Sequence, residues 1–293
     1  QMLSALWLIH RILEIRERPL EPRVPRVFIY AGKAAPGYRQ AKSILQLITA
    51  LAEITAEDPV VQDQLRILFL EGYDVSLAER IIPAADLSEQ IPCPGYEASG
   101  TGNMKFAMNG ALTIASRDGA NLDLEAQISS TWWPFAFGHT LEEIQLKQRD
   151  PSYNPRDLVR TDPRLQRALD ALMSGTFARY SAEQEVFKEL CQPLLEPLAH
   201  RPADPYFVLG DFAAYVDAQK RVEAIFQDPL QWHRMALMNI AGTGSFSIDR
   251  TIQDYNREVW QLQPVPIDPK ILEEVTTGWT DAGPENRDIH SHS

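Results

Sequence analysis

Three short apolar runs rich in β-favouring residues punctuate the first 115 positions, and a helix-length stretch separates each from the next. They are Val27-Phe28-Ile29-Tyr30-Ala31, Arg66-Ile67-Leu68-Phe69-Leu70 and Ala111-Leu112-Thr113-Ile114-Ala115. Runs this short and continuously apolar suit strands buried on both faces. Between the first two, Ala41, Ile44, Ile48 and Leu51 recur at helical spacing. Between the second and third, Val75 to Ile82 reads as a short helix stopped by Pro83, and a second short helix surrounds Lys105. Strands alternating with helices demand a parallel sheet covered by helices on both faces, joined by right-handed crossovers. An opening helix carries Met2, Leu6, Ile9 and Leu13 on one face and ends before Pro19.

The pattern changes near residue 140. Segments 162–173, 182–195, 210–226, 229–241 and 247–260 all read as helices, and no strand signal follows. Asp162-Pro163 and Asp228-Pro229 are helix starts, with Asp as cap and Pro in the first turn. The acidic Leu141-Glu142-Glu143-Ile144 reads as a first helical turn. The fold class is therefore α/β, a parallel sheet with helices on both faces followed by a helical layer, and the chain after Pro264 reads as an irregular tail. The tail from His290 to Ser293 makes no metal site by itself.

Composition narrows the function. A hydrophobic content of 44% is enough for a folded core. The formal charge of −12 argues against a nucleic-acid partner, which calls for a basic face. Cys93 and Cys191 can build neither a disulfide framework nor a four-ligand zinc site, and they imply free thiols in a reducing, cytoplasmic setting. No apolar run reaches the roughly 18 residues that a membrane span needs. The first residue is Gln1 and a helix follows at once, which leads us to expect a piece of a longer polypeptide.

One stretch carries chemistry: Glu97-Ala98-Ser99-Gly100-Thr101-Gly102-Asn103-Met104-Lys105-Phe106. Glycines and hydroxyl residues lead straight into a helical pattern, so open backbone N–H groups can receive an anion there. Lys105 follows within about one turn, where it can contact a phosphate or condense with a carbonyl cofactor. Glu97 can accept hydrogen bonds from sugar hydroxyls. A plain helix start with a surface lysine would show the same residues. Trp132-Trp133-Pro134-Phe135-Ala136-Phe137 could form a sugar-stacking platform, but core packing is the expected role. Cys93 lacks a His partner in the sequence nearby, His139 and His233 stand alone, and Lys33 sits in a loop that either meets an anion or only turns the chain.

The stretch from Glu97 to Phe106, continued by Ala107-Met108-Asn109, resembles the pyridoxal-phosphate signature of the glycogen and α-glucan phosphorylases. Similar family segments occur in order: Gly32-Lys33-Ala34-Ala35-Pro36-Gly37-Tyr38, Val75-Ser76-Leu77-Ala78-Glu79, Ile82 to Gln90, Asp118-Gly119-Ala120-Asn121 and Phe246 to Ile252. Asp211-Phe212-Ala213-Ala214-Tyr215-Val216 is most similar to the bacterial forms. The resemblance covers residues 1–262 and implies a Rossmann-like catalytic domain there, the C-terminal half of a GT-B enzyme with its active site facing an N-terminal domain, and leaves 263–293 as an irregular tail. It implies that Lys105 binds pyridoxal 5'-phosphate as a Schiff base, that Thr101 and Gly102 hold the cofactor phosphate and that Tyr73 lies beside the cofactor. It implies that Glu97, Ser99 and Gly100 contact glucosyl hydroxyls, and that no metal takes part. The implied reaction is cleavage of a terminal α-1,4-glucosyl bond by inorganic phosphate, releasing glucose 1-phosphate, in a cytoplasmic homodimer. The alternative is an inactive remnant that binds cofactor or glucan.

Two departures from the family pattern stand out. Ile91-Pro92-Cys93-Pro94-Gly95-Tyr96 differs from the usual Ser-Thr-Ala-type run, and its two prolines predict an edge or a loop. The segment from Leu122 to Trp133 lacks the expected acidic cluster. The family's basic motif lies just ahead of Gln1, so the resemblance also implies that part of the site, and the whole N-terminal half, lie outside this sequence.

Overall fold

The computed structural model describes residues 1–199 and 201–280. The chain forms two compact units, Gln1–Ser245 and Phe246–Ser293. A 3-10 stretch, Thr243–Phe246, ends the helical run of the first unit before Ser247 caps a new helix.

The first unit opens with α1 (Met2–Glu17), which is buried on nearly every side rather than along one stripe. It passes to β1 (Arg26–Ala31), α2 (Arg39–Glu57) and β2 (Leu65–Leu70), and the two strands pair in parallel from Arg26↔Leu65 to Ala31↔Leu70. Next come α3 (Val75–Ile81), capped by Asp74, and β3 (Leu87–Gln90). A seven-residue α4 (Gly102–Met108) leads to β4 (Leu112–Ser116), α5 (Ala120–Ile128) and the two-residue β5 (Ala136–Phe137). All the pairings are parallel, as the alternating pattern requires. The strands form two sheets, β1-β2 and β3-β4-β5, where one was expected. The sequence pattern also did not resolve β3, because Leu-Ser-Glu-Gln is not an apolar run. Its polar side chains are satisfied inside: the Glu89 carboxylate accepts from Ser4 Oγ at 2.8 Å, from Gln219 Nε2 at 2.9 Å and from the Tyr215 hydroxyl.

Helices follow. They are α6 (Leu141–Arg149), α7 (Pro155–Thr161), α8 (Pro163–Ser174), α9 (Ser181–Leu195), α10 (Val208–Phe226) and α11 (Pro229–Gly242). The two Asp-Pro starts hold: Asp162 accepts the Arg164 N–H at 2.9 Å and Asp228 the Gln231 N–H at 3.1 Å. Thr140 and Glu143 form a reciprocal capping box on α6. Trp133, Phe135 and Phe137 are buried, Phe135 against Trp232 and Phe137 against Tyr215, so the aromatic run is core and not a platform. Each such ring contributes on the order of 1.5–3 kcal/mol by leaving water.

The second unit holds α12 (Ile248–Tyr255), a π turn over Asn256–Trp260, and α13 (Pro269–Thr280). The tail was expected to be irregular, and α13 corrects that for its described part. The cause is a third Asp-Pro start: Asp268 Oδ1 accepts the Lys270 N–H at 2.9 Å. The residues from His290 to Ser293 lie outside the described residues. Ile248, Ile252, Tyr255 and Val259 are exposed apolar side chains.

Asp204 is the most consequential buried charge. It accepts the N–H groups of Val208, Leu209 and Gly210 at 2.7, 2.8 and 3.1 Å and so caps α10. Burial pushes its carboxyl up to about 7, the three donors oppose the rise, and the charge of Asp211 adds to it. A carboxyl that holds its proton more tightly when folded stabilises the chain below the ordinary carboxylate range, and that contribution is lost as pH rises through about 7. Urea unfolding of wild type and Asp204→Asn should therefore show wild type losing stability relative to the variant between about pH 4 and pH 7. A difference that does not change with pH would show that the carboxyl titrates normally.

Candidate functional site

The loop that leaves β3 and enters α4 carries Glu97, Ser99, Gly100 and Thr101. A second loop, between β4 and α5, holds it in place. The Asp118 carboxylate accepts the Glu97 N–H at 2.8 Å, and the Ala120 N–H donates to the Ser99 carbonyl at 2.8 Å. Gly119 makes this closeness possible. Its φ is +53°, and a Cβ there would lie 2.6 Å from the Ser99 oxygen. Gly100 has φ +82°, the left-handed conformation that turns the chain into the helix.

Under the loop lies a buried amide pair. Asn103 Nδ2 donates to Asn121 Oδ1 at 3.0 Å, and Asn121 Nδ2 donates to the carbonyls of Gln90 and Ser116 at 3.0 and 3.1 Å. Both side chains are buried. One amide thus joins the ends of β3 and β4 to the starts of α4 and α5. The Ser116 hydroxyl also donates to the Pro92 carbonyl, pinning the loop that the two prolines predicted.

The start of α4 also carries open donors. Among the described residues no acceptor meets the N–H groups of Gly102 and Asn103, while the Met104 N–H is taken by Asn103 Oδ1 at 2.9 Å. Thr101 has non-helical dihedrals and its hydroxyl makes no cap. Because α4 spans only two turns, these local donors outweigh any helix dipole. Lys105 is exposed, and among the described residues its ammonium enters no ion pair. Gly102 and Tyr73 line one cavity of about 620 Å³, together with Gln90 and Phe106. A Cβ on Gly102 would press the Gln90 amide at 3.4 Å. Tyr73 follows β2 and Gly102 follows β3, so the carboxyl ends of both sheets open on the same side, where α/β folds bind ligands.

Glu97, Ser99, Gly100, Thr101, Gly102 and Lys105 follow one another along one loop and the helix it enters. Of these, Gly102 lines the cavity together with Tyr73, whereas Glu97, Ser99, Gly100, Thr101 and Lys105 do not. Lys33 is exposed in the loop after β1. Burial, with the charges of Asp211, Asp204 and Asp118, pushes the Cys93 thiol up to about 12, which removes it as a nucleophile near neutral pH. His139 is not alone, since its Nδ1 lies 2.6 Å from Asp211 Oδ1.

The profile of the carbohydrate phosphorylases matches residues 1–262. This chain belongs to the carbohydrate phosphorylase family. The chain is similar to the glycogen phosphorylase of Synechocystis sp., with 42% identity across 92% of this chain and 30% of the relative. It is also similar to the muscle-form glycogen phosphorylase of Ovis aries, with 44% identity across 90% of this chain and 30% of the relative. The glycogen phosphorylase of Chlamydia pneumoniae matches at 43%, across 89% of this chain and 31% of the relative. The chain thus spans about 30% of the length of these curated relatives.

Sequence reasoning missed the roles of Asn103, Asn121, Asp118, Gly119 and Gln90. The signal was present, because Asp118-Gly119-Ala120-Asn121 stood out as a motif, but its contact with the signature loop joins positions about 20 residues apart. Gly119→Ala should destabilise the chain by roughly 1–3 kcal/mol, since both the dihedral and the Ser99 contact oppose a methyl. Gly37→Ala, where the methyl meets open space, should stay within about 0.5 kcal/mol of wild type. Equal urea midpoints for the two variants would contradict the role given to Gly119.

Proposed function

We propose that this chain is the cofactor-bearing portion of a pyridoxal-phosphate-dependent α-1,4-glucan phosphorylase, the C-terminal half of a GT-B enzyme. In this reading the complete enzyme works in the cytoplasm as a homodimer and takes glucan and inorganic phosphate to glucose 1-phosphate. The observation that carries the reading is the match across residues 1–262, which includes the whole signature loop. The printed names of the relatives, glycogen phosphorylase, supply the substrate class.

The residues present fit the cofactor. Gly102 and Asn103 offer two N–H donors without acceptors, Lys105 is exposed for covalent attachment, and Tyr73 stands at the rim of a cavity with room for a ring. When bound, the cofactor contributes a phosphate that can exchange a proton with the substrate phosphate. Lys105 would anchor the cofactor, and Thr101 and Gly102 would hold its phosphate. Glu97, with Ser99 and Gly100, would orient glucosyl hydroxyls, and its backbone is already fixed by Asp118. The remaining polypeptide, the N-terminal half of the same enzyme, would close the cleft and exclude water.

Borohydride reduction of the complete enzyme, followed by peptide mapping, should find the pyridoxyl group on Lys105. Lys105→Arg keeps the charge but cannot form the imine, so cofactor and activity should both be lost. A label on Lys33, or none, would overturn the assignment. Glu97→Gln should lower kcat/KM by roughly one to two orders of magnitude, as expected for one lost hydrogen bond to a charged group. Cofactor content should be unchanged. A variant with normal turnover, or one that has lost the cofactor, would count against the sugar-reading role.

A further inference from the structure

β3, β4 and β5 are neighbours in one parallel sheet, so the loops that leave their carboxyl ends emerge along one edge. The loop after β4 holds Glu97 through Asp118. The loop after β5 carries His139, and that side chain has a fixed seat. The Asp211 carboxylate, on the first turn of α10, accepts the His139 main-chain N–H at 3.0 Å and its ring Nδ1–H at 2.6 Å. Only 7% of the Asp211 side chain is exposed, and hydrogen bonds to a carboxylate taken out of water are strong. The imidazole also meets Phe207 edge-on at 5.3 Å, and Tyr153 stacks on the same Phe207 at 5.1 Å. Carboxylate and aromatic ring together set the orientation of the imidazole. Gly138 admits this approach: its φ is +81°, and a Cβ there would lie 2.8 Å from Asp211 Oδ2.

We infer that His139 is a positioning residue for Glu97: clamped by Asp211, it fixes the start of α6, where Leu141 holds the turn that presents Glu97. The route is short. Thr140 and Glu143 close a capping box directly after His139, at 2.8 and 3.3 Å, so the first turn of α6 is set by the clamp and the cap together. Leu141 is the first residue of that helix. A Cβ on Gly95 would lie 2.8 Å from Leu141 Cδ1, so the leucine side chain rests on the Gly95 main chain. Gly95 has φ +88°, and the Tyr96 N–H returns to the Cys93 carbonyl at 3.0 Å to close a tight turn. Glu97 follows at once. Its main chain is thus held from β4 by Asp118 and, one turn earlier, from β5 by Leu141. Two fixed points are what a carboxylate needs if it is to meet a hydroxyl in one geometry. The inference rests on the sugar-reading role proposed for Glu97, but the positioning is measurable without a sugar.

The test uses the complete enzyme. His139→Leu removes the donor, and His139→Asn returns a donor to the place of Nδ1. Leu141→Ala removes the side chain on Gly95 and leaves the Asp211 clamp intact; Leu141 is 38% exposed, so that variant should fold even if His139→Leu does not. Amide hydrogen exchange at Tyr96 and Glu97 should speed by about fivefold or more in His139→Leu and in Leu141→Ala, with β1 and β2 unchanged, and His139→Asn should recover most of the protection.

Kinetics then locates the effect. With glucan and phosphate, kcat/KM should fall about tenfold in His139→Leu, and cofactor content should not change. In a Glu97→Gln background the same substitution should cost less than about twofold, because the carboxylate it misplaces is already gone. Unchanged exchange at Tyr96 and Glu97 in folded Leu141→Ala would overturn the inference. So would a full tenfold fall on top of Glu97→Gln. Faster exchange combined with normal turnover of Glu97→Gln would uphold the positioning and reject the sugar-reading role alone.

Discussion

One buried side-chain amide organises the chemistry-bearing end of this protein. Asn121 donates to the carbonyls that end β3 and β4 and accepts from Asn103 at the start of α4. A buried amide left without partners costs about 1–3 kcal/mol, so the four segments it joins hold each other in register. The signature loop then lies across this frame, stitched at Glu97 and Ser99 to the loop holding Asp118 and Ala120. Gly119 permits the approach, and Gly100 turns the loop into α4. The unpaired N–H donors of Gly102 and Asn103 and the exposed Lys105 are positioned by the contacts around them, not by the short helix itself.

Much of the fold was legible because hydrophobic burial leaves a period. β1, β2 and β4 carry apolar runs, and the Asp-Pro starts of α8 and α11 carry capping chemistry. β3 left no such trace, since Glu89 is satisfied by groups from α1 and α10 that lie far away in sequence. The division of the strands into two sheets was equally hidden, because no local pattern reports a missing neighbour. The start of α13 was readable in Asp268-Pro269, but its flanking prolines suggested irregular chain instead. In the site, the residue types that could bind an anion were legible. The side chains that position them were not, because each acts across a loop-to-loop contact.

In the proposed reading, this chain works together with further polypeptide. Its candidate site carries Glu97 and Lys105 exposed to solvent, and charges in open water interact weakly. Phosphate chemistry gains most where water is excluded and donors are fixed before the reaction. The exposed apolar residues of α12 are a surface of the kind that additional polypeptide covers. That agrees with a chain spanning about 30% of the length of its glycogen phosphorylase relatives.

The central claim is that the Asn121 amide holds the signature loop. Amide hydrogen exchange on wild type and Asn121→Ala tests it most directly. The account predicts faster exchange from 97 to 104 and at Ala120, whose N–H bonds the Ser99 carbonyl, with β1 and β2 unchanged. Unchanged exchange over 97–104 in a folded variant would contradict it.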